Sequence, residues 1–174
     1  IWFCLVGSEM CIRDSDSCFN DQTNRLLWCT SKNESLMIKK DTKVAVLGAG
    51  AMGCLFGGLL AEKGLEVHLI DVWKEHVDEI NSKGLKMMGH GGDRTVKIHA
   101  TTDPKTLKPV DAIIIMCKAT ALEQALSNSK NIIGDNTMLM SFQNGIGHEE
   151  IMQKIAGKEK VLGGSTTQAS SIQG

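Results

Sequence analysis

At 174 residues the chain has room for one ordinary domain, or for a domain with additional material. Its net charge of −1 gives no electrostatic case for nucleic acid or an anionic membrane as a partner. No apolar run approaches the roughly 20 residues of a membrane span. The six cysteines form neither a CxxC pair nor a zinc-like spacing with histidine, so no metal site is expected and a reduced, cytoplasmic setting is the simplest reading.

The opening segment is set aside. Residues 5 to 15, LVGSEMCIRDS, resemble one reading frame of a transposase-type sequencing adapter. The apolar start, Ile1 to Val6, is too short for a signal peptide and has no basic residue before it. Residues 16 to 36 are polar and carry neither helical nor strand periodicity. Met37 stands just ahead of the first strand-like run. The expectation is a non-native or disordered leader over 1–36 and a folded domain over 37–174.

From Met37 the elements follow in order. Lys43-Val44-Ala45-Val46-Leu47 reads as a strand, and a helix from Ala51 to Lys63 carries Met52, Leu55, Phe56, Leu59 and Leu60 on one face. Gly64 is a left-handed stop. A strand at Glu66–Ile70 precedes a helix from Lys74 to about Ser82, with His76-Val77 and Ile80 turned inward. Leu85 to Ala100 reads as a short β excursion, with a turn at Gly89–Asp93 and an alternating run from Val96 to His99. The continuous apolar run Asp111–Cys117 suits a parallel strand buried on both faces. A helix from Leu122 to about Ser129, a strand at Thr137–Phe142, a short helix near His148 and a last strand at Val161-Leu162-Gly163 complete the pattern. This alternation predicts an α/β fold, a doubly wound parallel sheet of Rossmann type.

Within that frame, Gly48-Ala49-Gly50-Ala51-Met52-Gly53 lies between strand and helix, and Asp71 closes the next strand. This is the dinucleotide-binding fingerprint in its required context. Gly48 serves the sharp turn, Gly50 lets backbone approach a pyrophosphate, and Gly53 lets helix and strand pack closely. The free N–H groups at the helix start face the phosphates. The 37–174 segment is therefore expected to be a dinucleotide-binding domain.

Ligands of open α/β sheets bind at the carboxyl ends of the strands. Asp71, Lys118 and Gln143-Asn144 all fall at such ends and are expected to face one crevice. Asp71 either accepts hydrogen bonds from an adenosine ribose, favouring NAD over NADP, or caps a helix. Lys118 either binds cofactor or substrate oxygen or is a solvated strand end. Asn144 either presents its amide to the nicotinamide end or forms a plain Asn-Gly turn. The five histidines read as structural or surface groups, and Cys54 and Cys117 as small buried hydrophobes.

With these residues in hand, the chain from Lys43 to Gly174 resembles the ketopantoate reductase (2-dehydropantoate 2-reductase) family. VLGAGAMG, then CKA at Cys117-Lys118-Ala119, QNGIG at Gln143 to Gly147 and GSTTQAS ending at Ser170 carry the resemblance. It implies hydride transfer from NAD(P)H to the 2-keto group of ketopantoate, giving pantoate on the route to coenzyme A. It also implies that Gly48, Ala49, Gly50, Ala51, Met52 and Gly53 cradle the pyrophosphate. Lys118 would contact the cofactor near the reaction centre, Asn144 would bridge cofactor and substrate, and Ser170 would lie near the nicotinamide half. The family's proton-donating lysine and its acidic partner are expected in a helical domain beyond Gly174. That leaves no catalytic acid in this chain, and a flat apolar patch along the later helices.

The family norm is NADP, with an arginine at the position matching Val72. Asp71-Val72-Trp73-Lys74-Glu75-His76-Val77 instead looks like the NAD-dependent D-2-hydroxyacid (mandelate-type) dehydrogenases of the same superfamily, the alternative on substrate. A nucleotide-sensing module without turnover is the non-enzyme alternative. The expected partner is a small 2-keto acid; the sequence leaves open the oligomeric state, a homodimer included.

Overall fold

The computed structural model describes the backbone of residues 27–29 and 35–37, and residues 41–89, 92–143, 147–164, 166 and 169–173. Strands β1 (Leu27–Cys29) and β2 (Ser35–Met37) pair antiparallel as an isolated two-stranded sheet. Residues 16–36 were expected to hold no strand, so this hairpin is a correction. Neither of its strands joins the main sheet.

The main sheet is built from β3 (Lys43–Leu47), β4 (Glu66–Ile70), β7 (His99–Thr101), β8 (Val110–Ile115), β9 (Ile133–Ser141) and β10 (Val161–Gly163). Their spatial order is β10-β9-β8-β3-β4-β7, with every neighbouring pair parallel. The chain therefore starts in the middle, winds outward through β4 to β7, and returns to wind the other way from β8. This is the doubly wound order, with its switch point between β3 and β8. The α/β reading from the sequence holds.

Alternation along β3 explains why both faces are covered. Val44 and Val46 join one core with Phe56 and Leu60 of α1 (Ala51–Glu62) and Val77 and Ile80 of α2 (Lys74–Lys83). Ala45 and Leu47 join the opposite core with Leu122 and Leu126 of α3 (Leu122–Asn128) and Met152 of α4 (His148–Ala156). Successive side chains of a strand point to opposite faces, so a strand apolar at every position needs helices on both sides. Residues 112–115 obey the same rule, Ala112 and Ile114 facing the first core and Ile113 and Ile115 the second, whereas Asp111 is exposed. Helices α1 and α2 end as their sequences dictate, at Gly64 (φ 86°) and Gly84 (φ 81°).

Three boundaries differ from those expected by two residues or more. The run Val96–His99 is not one strand. Strand β6 (Arg94–Val96) pairs antiparallel with β5 (Leu85–Met87), whereas His99 begins β7 at the sheet edge. Asn81 of α2 holds that edge, donating Nδ2–H to the Ala100 carbonyl (2.8 Å) and accepting the Ala100 N–H on Oδ1 (2.9 Å). Strand β8 stops at Ile115 rather than Cys117, because the backbone at Cys117 turns against Gly48. Strand β9 begins at Ile133, four residues early, through an irregular pairing with β8 in which buried Thr137 donates its hydroxyl to the Val110 carbonyl.

The large hydrophobic side chains left exposed among the described residues are Val72, Trp73, Met88 and Ile172. None lies on α3 or α4, so the expected apolar patch along the later helices is absent from the described residues. No described helix is long and apolar enough to cross a membrane.

Candidate cofactor site

The carboxyl ends of β3 and β8 meet at the switch point, and the glycine loop crosses it. Gly48 takes φ +99°, and a Cβ there would sit 2.5 Å from the Cys117 backbone nitrogen. Both the left-handed turn and the contact require glycine. A Cβ on Gly53 would lie 1.8 Å from the Gly48 carbonyl oxygen, which fixes how closely α1 packs on β3. Gly50 is different. Its φ of −65° suits any residue, and nothing lies within 4 Å of where its Cβ would be. Its missing side chain therefore leaves open space at the helix entrance instead of relieving an internal clash.

Helix α1 starts at Ala51 with no side-chain cap and no acid in its first turn. Its first backbone bond runs from Cys54 N to the Gly50 carbonyl. The amides before it are the orphan donors of a helix N-terminus, with the positive end of the helix dipole behind them. An open glycine beside uncapped amides fits a pyrophosphate.

Asp71 stands at the end of β4 as expected. Its Oδ2 accepts the Ala49 N–H at 2.6 Å, and its Oδ1 accepts the Trp73 N–H at 3.0 Å. The N-cap of α2 is Trp73, without a side-chain cap, so Asp71 is not the helix cap of the alternative reading. The carboxylate is tied to the glycine loop, with lone pairs left over for hydroxyl donors. Val72, the next residue, is almost fully exposed, and Lys74 is engaged by Asp78 one turn along α2.

Ala49 is fully buried, and side chains from two helices bond its carbonyl. Cys54 Sγ donates at 3.1 Å and His76 Nε2 at 2.9 Å. His76, expected to be structural or a surface group, thus touches the loop directly. The one signal for it in the sequence is its place in the first turn of the helix after Asp71. Burial, reinforced by the Asp71 charge, pushes the Cys54 thiol up to about 11. Burial raises the Cys117 thiol as well. Neither cysteine is a thiolate at neutral pH; Cys54 is buried as expected, whereas Cys117 is half-buried just past the end of β8.

Lys118 is exposed just past β8, where its carbonyl accepts the Ala121 N–H of a 3₁₀ turn. Gln143 follows β9 and donates Nε2–H to the Cys117 carbonyl, tying the two strand ends together. Ser170 donates its hydroxyl to Met52 Sδ at 3.1 Å, which brings the tail over the start of α1. Asn144 lies outside the described residues, as do Gly145 and Ile146.

Comparison with known proteins agrees with this geometry. The family model for ketopantoate reductase PanE/ApbA matches residues 44–174. A 2-dehydropantoate 2-reductase of Pyrococcus abyssi is 41% identical over 131 residues, 75% of this chain and 42% of the relative. A structure of D-mandelate dehydrogenase with NADH and anilino(oxo)acetate superposes with a TM-score of 0.72 at 37% identity, covering 76% of this chain and 43% of that one. A PanE/ApbA family ketopantoate reductase from Ralstonia eutropha JMP134 gives 0.65 at 32% identity, covering 70% and 40%. The chain thus spans less than half the length of the relatives it matches. The parallel sheet, the open glycine loop and the family match agree: the chain belongs to the ketopantoate reductase PanE/ApbA family.

Proposed function

We propose that residues 37–174 are the nicotinamide-cofactor domain of a cytoplasmic oxidoreductase that reduces 2-dehydropantoate to pantoate, with residues 1–36 outside that domain. The observation that carries the reading is the pairing of an open Gly50 with a carboxylate, Asp71, fastened to the neighbouring Ala49 amide. What the cofactor supplies when bound is a hydride for the 2-keto carbon.

The chain's own residues bind and orient. Gly48 to Gly53 receive the pyrophosphate through the backbone amides of the loop and the start of α1. Asp71 accepts the ribose hydroxyls, and its charge repels a 2′-phosphate. Val72 brings no cation to that position, and Lys74 is held by Asp78, which supports NADH over NADPH. By the family resemblance, Lys118 contributes a cation near the reaction centre, Ser170 serves the nicotinamide half, and Asn144 bridges cofactor and substrate. The acid that protonates the developing alkoxide, a contribution of about 10²–10⁴-fold in rate, belongs to a helical domain that follows residue 174 in the family.

A second reading has its own support. Asp71-Val72 and the likeness to D-mandelate dehydrogenase with NADH favour an NAD-dependent D-2-hydroxyacid dehydrogenase. NADH oxidation with ketopantoate and with benzoylformate, by this chain alone and by the chain continued through a helical domain, separates the readings. Turnover of ketopantoate by the longer protein only is the expected result. Preference for benzoylformate selects the second reading, and equal rates from both proteins would place the proton donor within this chain.

A further inference from the structure

We infer that His76 is a positioning residue for the dinucleotide, aiming the Gly50 amide at the phosphates by holding the Ala49 carbonyl; the inference rests on the cofactor reading above. A trans peptide is planar, so its C=O and its N–H point in opposite directions. The Ala49 carbonyl and the Gly50 N–H belong to one such peptide. Ala49 O is turned inward to His76 Nε2 (2.9 Å) and Cys54 Sγ (3.1 Å). The Gly50 N–H therefore points away from His76 and Cys54, and the Gly50 Cβ position beside it has nothing within 4 Å. That N–H has no acceptor among the described residues.

The preceding peptide is fixed as well, because the Ala49 N–H is held by Asp71 Oδ2 at 2.6 Å. Ala49 is thus clamped at both backbone groups, by the ribose acid on one side and by His76 on the other. A carbonyl can only accept, so His76 Nε2 carries the proton and the neutral ring is the Nε2–H tautomer. The Trp73 indole stacks on the imidazole, with ring centroids 5.1 Å apart and planes 24° apart, and keeps the ring in line with the carbonyl. Cys54 alone holds the carbonyl less firmly, since a thiol is a weak donor. Without His76 the carbonyl is left with the weaker thiol donor alone, and the amide is held less firmly in advance of binding.

Three substitutions test this. His76→Leu removes the donor. His76→Gln places an amide N–H near the Nε2 position, and His76→Asn places one near Nδ1 instead. Affinities for ADP-ribose and for adenosine are measured by calorimetry on the whole chain, alongside urea unfolding. The expected result is a loss of about tenfold in ADP-ribose affinity for His76→Leu and His76→Asn. Recovery to near wild type is expected for His76→Gln, with adenosine affinity unchanged throughout. A folded His76→Leu that binds ADP-ribose like wild type overturns the inference alone. Equal losses for adenosine and ADP-ribose also overturn it, because His76 would then act on the nucleoside and not on the phosphate loop. Wild-type protein that fails to take ADP-ribose overturns the cofactor reading together with this inference. Should the variants fail to fold, imidazole nitrogen shifts of the wild type decide. The Nε2–H tautomer supports the role and the Nδ1–H tautomer removes it.

Discussion

The three fingerprint glycines are not equivalent, and alanine at Gly53 and at Gly50 should separate folding from binding. At Gly53 the new Cβ would stand 1.8 Å from the Gly48 carbonyl oxygen, where real Cβ atoms essentially never come closer than 3.0 Å. The helix would have to move by more than an ångström. Gly48 cannot retreat, because its own position is set by the Cys117 backbone. Lifting α1 opens a gap beneath Phe56 and Leu60, and a gap of about 0.5–1 Å already forfeits a quarter to a half of each contact. Gly53→Ala should therefore cost about 3 kcal/mol, the upper part of the range for overpacked sites. For a domain of this size that lowers Tm by roughly 10 °C.

At Gly50 the backbone is already suited to alanine and the space is empty. The change at this N-cap should cost no more than about 1 kcal/mol. The same methyl group, however, occupies the approach to the phosphates, and NADH affinity should fall by more than about tenfold. Thermal denaturation and NADH fluorescence titration of both variants make the comparison. Gly50→Ala binding NADH within twofold of wild type would refute the argument. So would a Gly53→Ala that melts with wild type.

Other expectations follow from single contacts. Asn81→Ala leaves the N–H and C=O of nearly buried Ala100 without their partners and should cost about 1–3 kcal/mol in urea unfolding, by loosening the edge strand. Asp71→Asn removes the charge that repels a 2′-phosphate, so the ratio of NADPH to NADH affinity should rise in paired titrations. Cys54 and Cys117 should resist iodoacetamide at pH 8 in the folded protein and react in urea, with peptide mass mapping as the readout. His99 is lowered from 6.5 by burial and by His68, whose Nδ1 lies 3.3 Å from its own and whose Nε2 is engaged by Glu66. The unfolded chain therefore takes up this proton first as pH falls. Stability should be full above 6.5 and decline as pH drops through the window between 6.5 and the lowered folded value. His99→Gln should flatten that part of the pH–stability curve.

What was legible in the sequence was whatever a period or a fingerprint records. Strands β3 and β4 coincide with their apolar runs, and α1 and α2 end at the glycines that stop them. Strand β7 was hidden because only Ala100 of its three residues is buried, and because its place in the sheet depends on β4 and Asn81, both distant in sequence. The early start of β9 passes through Gly134, Asp135 and Asn136, which carry no apolar alternation and lie where the register with β8 shifts between Ile133 and Met138. The end of β8 is hidden because Met116 and Cys117 continue the apolar run past Ile115, where their backbone packs against Gly48. At the site, Gly48 and Gly53 are readable because their close backbone contacts demand glycine, and Gly50 and Asp71 because the spacing of the fingerprint marks them. His76 is not. Its contact is with a carbonyl on another element, and its place in the first turn of the helix after Asp71 is the sole hint of it in the sequence.

The most direct measurement is calorimetric titration of the whole chain with NADH and with NADPH under the same buffer and salt. The account predicts saturable binding of both, one site per chain, with NADH the tighter ligand because Asp71 faces the ribose. Tighter NADPH would contradict the role given to Asp71, and binding of neither would contradict the cofactor site itself.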